Sequence, residues 1–162
     1  PVLYSEKHML RSETNTHFNR DERNNISFSA STVSYPLKGG EQDRGSIIWQ
    51  LAGIGRGDHE KFVPGAQIDL FVAGVRDGDL WSILVVDQEE IDVGDGKTLA
   101  WHVVRSPRAG TYDQKIDIWL APQYAWCPVR VRTTDKNGDY LDLSMSSFHP
   151  ALLAGAHAES TR

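Results

Sequence analysis

The side chains here with chemistry to offer are six histidines, one cysteine and several short acidic or glycine-rich runs. A metal site would show in ligand spacing such as His-x-His or His-Glu-x-x-His. His8, His17, His59, His102, His149 and His157 show neither, which leaves only a site gathered in space from distant positions. Cys127 lies between Trp126 and Pro128 with no base nearby in sequence, so an inert thiol is expected. A single cysteine also excludes an internal disulfide and a Cys-x-x-Cys pair.

Ser46, in Arg-Gly-Ser-Ile-Ile, lacks the Gly-x-Ser-x-Gly setting of a nucleophile elbow and reads as a first-turn helix residue. Gly53-Ile54-Gly55-Arg56-Gly57 closes a helical stretch instead of opening one, which argues against a phosphate loop. Asp135, Asn137 and Asp139 imitate the start of a calcium loop. Its sixth position, however, is Tyr140 instead of glycine, and no glutamate stands at the twelfth. Asp43-Arg44 follows two glycines, with Asp43 suited to cap a helix and Arg44 to pair or stack beside it. No nucleophile, base and orienting group fall into a recognisable constellation. The expectation is a protein that is not an enzyme and carries no cofactor and no metal.

The elements that would position these residues are mostly strands. Apolar and polar residues alternate at period two between turn signals, the pattern of an antiparallel meander. Ile26, Phe28 and Ala30 alternate with serines, and this strand is expected to pair with residues 14–19 across Asp21-Glu22-Arg23-Asn24-Asn25. Arg76-Asp77-Gly78, Gly94-Asp95-Gly96 and Lys136-Asn137-Gly138 each suit a three-residue hairpin loop ending in a left-handed glycine. That choice sets register, and a one-residue slip would turn every side chain over. It pairs Val131 with Leu143, Val129 with Met145 and Arg132 with Asp142. Further back it pairs Leu70 with Leu84, Ile68 with Val86 and Val86 with Val104. The strand over residues 112–121 then sets Ile118 opposite Val131, Leu120 opposite Val129 and Asp117 opposite Arg132.

One segment breaks the alternation. Ile47, Leu51 and Ile54, flanked by Ile48 and Ala52, mark an amphipathic helix near residues 43–54. Gly45 and Gly53 each cost about 1 kcal/mol against alanine. The helix therefore depends on burying its isoleucines and leucine, worth roughly 1.5–3 kcal/mol each. The expected fold is mainly β with one α-helix, a curved antiparallel meander sheet packed on that helix. Residues 1–148 form one domain and residues 149–162 a loose tail.

On this register Leu84, Val104, Ile118 and the other aliphatics line one face under Ile47 and Leu51. His102 falls on that face beside Gln88 and Gln114, either as a hydrogen-bonded structural group or as part of a trio orienting the polar end of an apolar ligand. The candidate ligand-binding set is thus Ile47, Leu51, Leu84, Gln88, His102, Val104, Gln114 and Ile118. Phe71, Trp81 and Trp101 fall on the other face, either buried by a further segment or exposed as a partner-binding patch.

The chain has 162 residues, 40% hydrophobic and 24% charged, enough for one domain with a sizeable core. A net charge of −5 disfavours nucleic acid as partner. No apolar run approaches the roughly 20 residues of a membrane span. The chain opens with Pro1 in a strand-like segment, residues 2–11, read as the cut edge of a longer sequence.

Four stretches together carry a family resemblance: GGEQDRGSIIWQLAG (39–53), KTLAWHVVR (97–105), IDIWLAPQYAWCPVRVR (116–132) and TDKNGDYLDL (134–143). In order and spacing the sequence resembles the exported proteobacterial proteins grouped as domain of unknown function 3108. The run from Trp119 to Gly138 is the most specific, and Cys127 departs from the pattern where an apolar residue such as leucine would stand.

The resemblance covers roughly residues 1–148 and implies further strands before Pro1, leaving residues 2–11 as a raw edge able to pair with a second copy. It also implies a periplasmic or cell-envelope location and a half-barrel similar to the lipoprotein-carrier fold. The function this suggests is a module holding an apolar ligand such as a lipid or lipoprotein acyl chain. The alternative is a structural or protein-interaction domain of the envelope with no small-molecule ligand.

Overall fold

The computed structural model describes residues 1–94 and 96–149. The expected tail, apart from His149, and the middle of the Gly94-Asp95-Gly96 turn lie outside these. Two sheets form. The smaller is an antiparallel meander of β1 (Leu3–Glu6), β2 (Thr14–Asn19), β3 (Asn25–Phe28) and β4 (Ser31–Pro36), in that order. The expected pairing of β2 with β3 is present, with Thr16 opposite Phe28 and Phe18 opposite Ile26.

The larger sheet holds β5 (Gln42–Asp43), β6 (Gln67–Ala73), β7 (Gly78–Val93), β8 (Gly96–Arg105), β9 (Lys115–Ala121), β10 (Cys127–Thr134) and β11 (Tyr140–Ser144). They run side by side from β11 to β5 and curl into a half-barrel. The sheet is mixed, not purely antiparallel, because β5 pairs parallel with β6. The cause is α1 (Ile47–Gly57), which carries the chain from β5 back to β6, and only a crossover of this kind makes neighbours parallel.

The helix starts and ends later than its sequence suggests. Asp43 belongs to β5, and its Oδ1 accepts the backbone N–H groups of Gly45 and Ser46, each at 2.8 Å, so it shapes the turn before the helix. The N-cap position belongs to Ser46, and the helix runs through Gly55 to Gly57, where the Asp58 N–H bonds Ile54 O at 2.7 Å. Ile47, Leu51, Ala52 and Gly55 are buried against the half-barrel.

Part of the expected register holds. Val131 faces Leu143, Arg132 faces Asp142, and Ile118 and Asp117 face Val131 and Arg132. Gly138 and Gly96 take positive φ (88° and 125°), as hairpin glycines should.

The β6–β7 hairpin corrects the rest. Leu70 faces Trp81 and Ile68 faces Ile83, not Leu84 and Val86. The loop is residues 74–77, closed by Gly74 N–H to Asp77 O at 2.8 Å, and Gly78 is already in the strand opposite Ala73. Gly78 is glycine because the Phe71 ring lies against it, where a Cβ would come within 2.5 Å of Phe71. The shift is an odd number of residues, so the faces exchange. Trp81, Ile83 and Val85 turn inward beneath α1, while Leu80, Leu84 and Val86 turn outward. Leu84 therefore points away from the side that carries Ile118 and Leu143.

Two bulges then split the apolar residues between the faces. Between Val85 opposite Val103 and Asp87 opposite His102, Val86 is extra. Beyond it Ile91 and Val93, of the same parity as Ile83 and Val85, face the reverse side. In β10 the ladder steps from Pro128 to Arg130, so Leu120 faces Pro128 instead of Val129.

Three cores result. Between α1 and the half-barrel, Ile47 and Leu51 of the helix meet Ile68, Ile83, Val85, Val103, Ile118 and Leu120. On the reverse face, Ile91, Val93 and Ala100 of the long hairpin meet Trp119, Ala121 and Val129. The small sheet adds Phe18, Ile26, Phe28 and Leu37 against Ala73 and Phe71 of β6, and Thr16 Oγ1 donates to Gly74 O at 2.6 Å.

The helix seat yields a paired prediction. A Cβ at Gly55 would lie 2.2 Å from the Trp126 ring, whereas at Gly53 it would meet nothing within 4 Å. Gly55→Ala is expected to destabilise by about 1–3 kcal/mol despite alanine's better helix propensity. Gly53→Ala is expected to stabilise by up to about 1 kcal/mol. Urea unfolding monitored by circular dichroism checks both signs.

Candidate functional site

The bulge at Val86 and the pairing of β8 with β9 set Glu89, His102, Asp117 and Trp119 on the reverse face. His102 bridges two carboxylates, with Nδ1 2.8 Å from Glu89 Oε1 and Nε2 2.8 Å from Asp117 Oδ1. Its ring stacks on Trp119 at 4.5 Å and 8° between planes, and Trp119 Nε1 donates to Glu89 Oε2 at 2.9 Å. Lys115 approaches Asp117 at 3.0 Å. Both imidazole nitrogens face carboxylates on neighbouring strands, so the cluster acts as a clamp between strands.

Next to it, Arg130 lies over Trp119 at 4.9 Å and grips Asp142 through two bonds of 2.9 and 2.6 Å. Arg132 donates to Asp142 through Nε at 2.9 Å, although the ladder also sets it opposite Asp117. The hydrogen bonds from Arg130, with those from Arg132, hold the Asp142 carboxyl well below the usual carboxylate range.

On the half-barrel side a cavity opens between α1 and the sheet. This cavity of about 100 Å³ is lined by Ile47, Ile48, Trp81, Ile83, Ile116, Ile118, Val131 and Thr133, with Arg44 and Arg105 beside them. Arg105 is buried, its guanidinium 4.4 Å over the Trp81 ring. It donates to Gln114 O and to Asp113 Oδ2, both at 2.8 Å. The Arg105 hydrogen bond is the main reason the Asp113 carboxyl sits below its ordinary range. Arg44, half exposed, comes no closer to Asp113 than 3.9 Å.

The residues singled out from sequence divide between these two places. Ile47 and Ile118 line the cavity, with Leu51 buried just behind. Leu84 and Val104 face one another on the reverse side, because the β6–β7 register turned them over. His102 is also on the reverse side, while Gln88 faces Trp101 on the helix side and Gln114 precedes β9, exposed. The polar trio is therefore not assembled. Trp81 and Trp101 both lie on the helix side, and only Phe71 is on the reverse. Phe71 packs under the small sheet, Trp81 is buried beneath Arg105, and Trp101 lies near Phe62 at 6.2 Å between rings.

Sequence reasoning missed Arg105, Asp113, Glu89 and Trp119. For Arg105 the available signal was a charged residue ending an apolar strand at the parity of Val103.

Among the described residues no group of three or more His, Cys, Asp or Glu is placed to hold a metal ion, and no helix is long and apolar enough to cross a membrane. The architecture is that of a curled half-barrel with one helix in its concave side. The family model described as protein of unknown function DUF3108 matches residues 1–145, and the chain belongs to that family. No curated protein and no solved structure matches it.

Asp142 gives a pH-dependent expectation. Its carboxyl is depressed in the folded state, so the stability it contributes is present above the unfolded value near 3.9 and is lost as pH falls below it. Asp142→Asn should cost about 1 kcal/mol at neutral pH, most of the pairing being screened at the surface. The gap to wild type should shrink steadily below about pH 4. Denaturant titrations across that range measure it.

Proposed function

We propose that this chain is a non-enzymatic binding module of the bacterial cell envelope, working in the periplasm, that holds an apolar chain such as an acyl tail between α1 and the half-barrel. The observation that carries this reading is the isoleucine-lined cavity under the helix. Its place in the envelope rests on the resemblance to exported proteins.

Size limits what enters. An apolar cavity of roughly 150 Å³ holds one benzene ring. At about 100 Å³ this one takes only the narrow body of a chain. The remainder has a surface to lie on. Val131 and Thr133 at the cavity are next to Leu143 and Leu141 on the outermost strand, and both leucines are 59% exposed. These exposed leucines extend the apolar surface beyond the cavity.

The same exposed leucines favour a second reading, in which β11 and its leucines meet an envelope protein and no small molecule is held.

Val131→Phe separates the two. It fills the cavity and leaves Leu141 and Leu143 in place. On the ligand reading, binding of decanol followed by NMR titration of the isoleucine methyls is lost, while the melting temperature holds or rises. If wild type binds neither decanol nor any other single-chain alkyl compound, charged or neutral, the ligand reading fails.

A further inference from the structure

We propose, building on the cavity reading above, that the ligand is a single-chain amphiphile with an anionic head, and that Arg44 binds the head. Arg44 lines the cavity yet makes no side-chain hydrogen bond among the described residues, and its nearest carboxylate oxygen is 3.9 Å away. Its side chain is 46% exposed, so donors remain free at the mouth. A guanidinium in this state suits a carboxylate or phosphate, which it can engage through two parallel bonds.

Arg105 makes the mouth rigid. It is stacked on Trp81 at 4.4 Å and locked to Asp113 at 2.8 Å, so it lines the cavity alongside Arg44 without competing for the head. Gly74 leaves room for the Arg44 guanidinium, which a Cβ there would approach to 3.2 Å.

The ladder then defines a path for the tail. Arg105 faces Ile116, Ile116 faces Thr133, and Thr133 faces Leu141. That row crosses three interstrand spacings, about 14 Å in all. It leads from a positive end, across the cavity, to an exposed leucine. Apolar length with one cationic end is the complement of an anionic amphiphile, and a neutral chain would leave Arg44 unused.

The test compares decanoate, decyl phosphate, decanol and decyltrimethylammonium below their micelle concentrations, at neutral pH, by NMR titration of the isoleucine and leucine methyls. Decanoate or decyl phosphate should bind at least about tenfold tighter than decanol, the size of one charge-assisted hydrogen bond. Whichever is tighter identifies the head as carboxylate or phosphate. Arg44→Gln should abolish that preference, bringing decanoate and decyl phosphate to the affinity of decanol for the same variant. Arg44→Lys should restore part of it. Arg44 is half exposed, and a melting curve confirms that each variant folds.

Binding of decanoate and decyl phosphate that is in both cases no tighter than that of decanol, or tighter binding of the ammonium, overturns the proposal for the head while the cavity reading stands. Absence of binding by all four overturns both.

Discussion

The structure depends on two places where a strand slips by one residue. At Val86 in β7 and at Val129 in β10 the ladder skips a position. Without those slips, Ile83, Val85, Ile91 and Val93 would all face the same side, and so would Val129 and Val131. With them, Ile83, Val85 and Val131 go to the core under α1, and Ile91, Val93 and Val129 go to the core around Trp119. A bulge bends its strand and adds twist. The result is a sheet that curls around the helix on one side while the tip of its long hairpin folds onto the other. There Gly94 N–H bonds Met145 O at 3.1 Å, leaving no room for a side chain at Gly94.

The division of faces also separates two kinds of polar group. The reverse face gathers charges that satisfy one another, with His102 between Glu89 and Asp117 and Asp142 between two arginines. Such a network ties β7 through β11 together and offers little to a ligand. The helix side has fewer charges, set at one end of an apolar row, and Arg44 there is left with donors to spare. A closed network on one face and a half-exposed arginine beside an apolar cavity on the other make the helix side the better candidate for binding.

Much of this was legible in the sequence, and the limits have physical causes. The helix showed in the spacing of Ile47, Leu51 and Ile54. The hairpin ending in Gly138 showed because its glycine takes the left-handed conformation the turn requires. Gly78 looked the same in sequence, but its role is to let the Phe71 ring approach, and nothing local distinguishes the two. That single ambiguity moved Leu84 and Val104 off the helix side and brought Trp81 onto it. The bulges were equally silent, since Val86 and Val129 are ordinary strand residues whose slip is set by neighbours on other strands. Arg105 was hidden because a charged residue on a core face is sensible only once Asp113 and Trp81 are seen beside it. The parallel pairing of β5 with β6 followed from the crossover through α1, which the meander pattern does not announce.

The phase slip at Val86 is tested most directly by methyl and aromatic nuclear Overhauser contacts in the intact protein. The account predicts contacts from Ile83 and Val85 to Ile47 and Leu51, and from Ile91 and Val93 to Trp119 and Met145. Contacts from Ile91 or Val93 to the helix, or from Ile83 to Trp119, would contradict it.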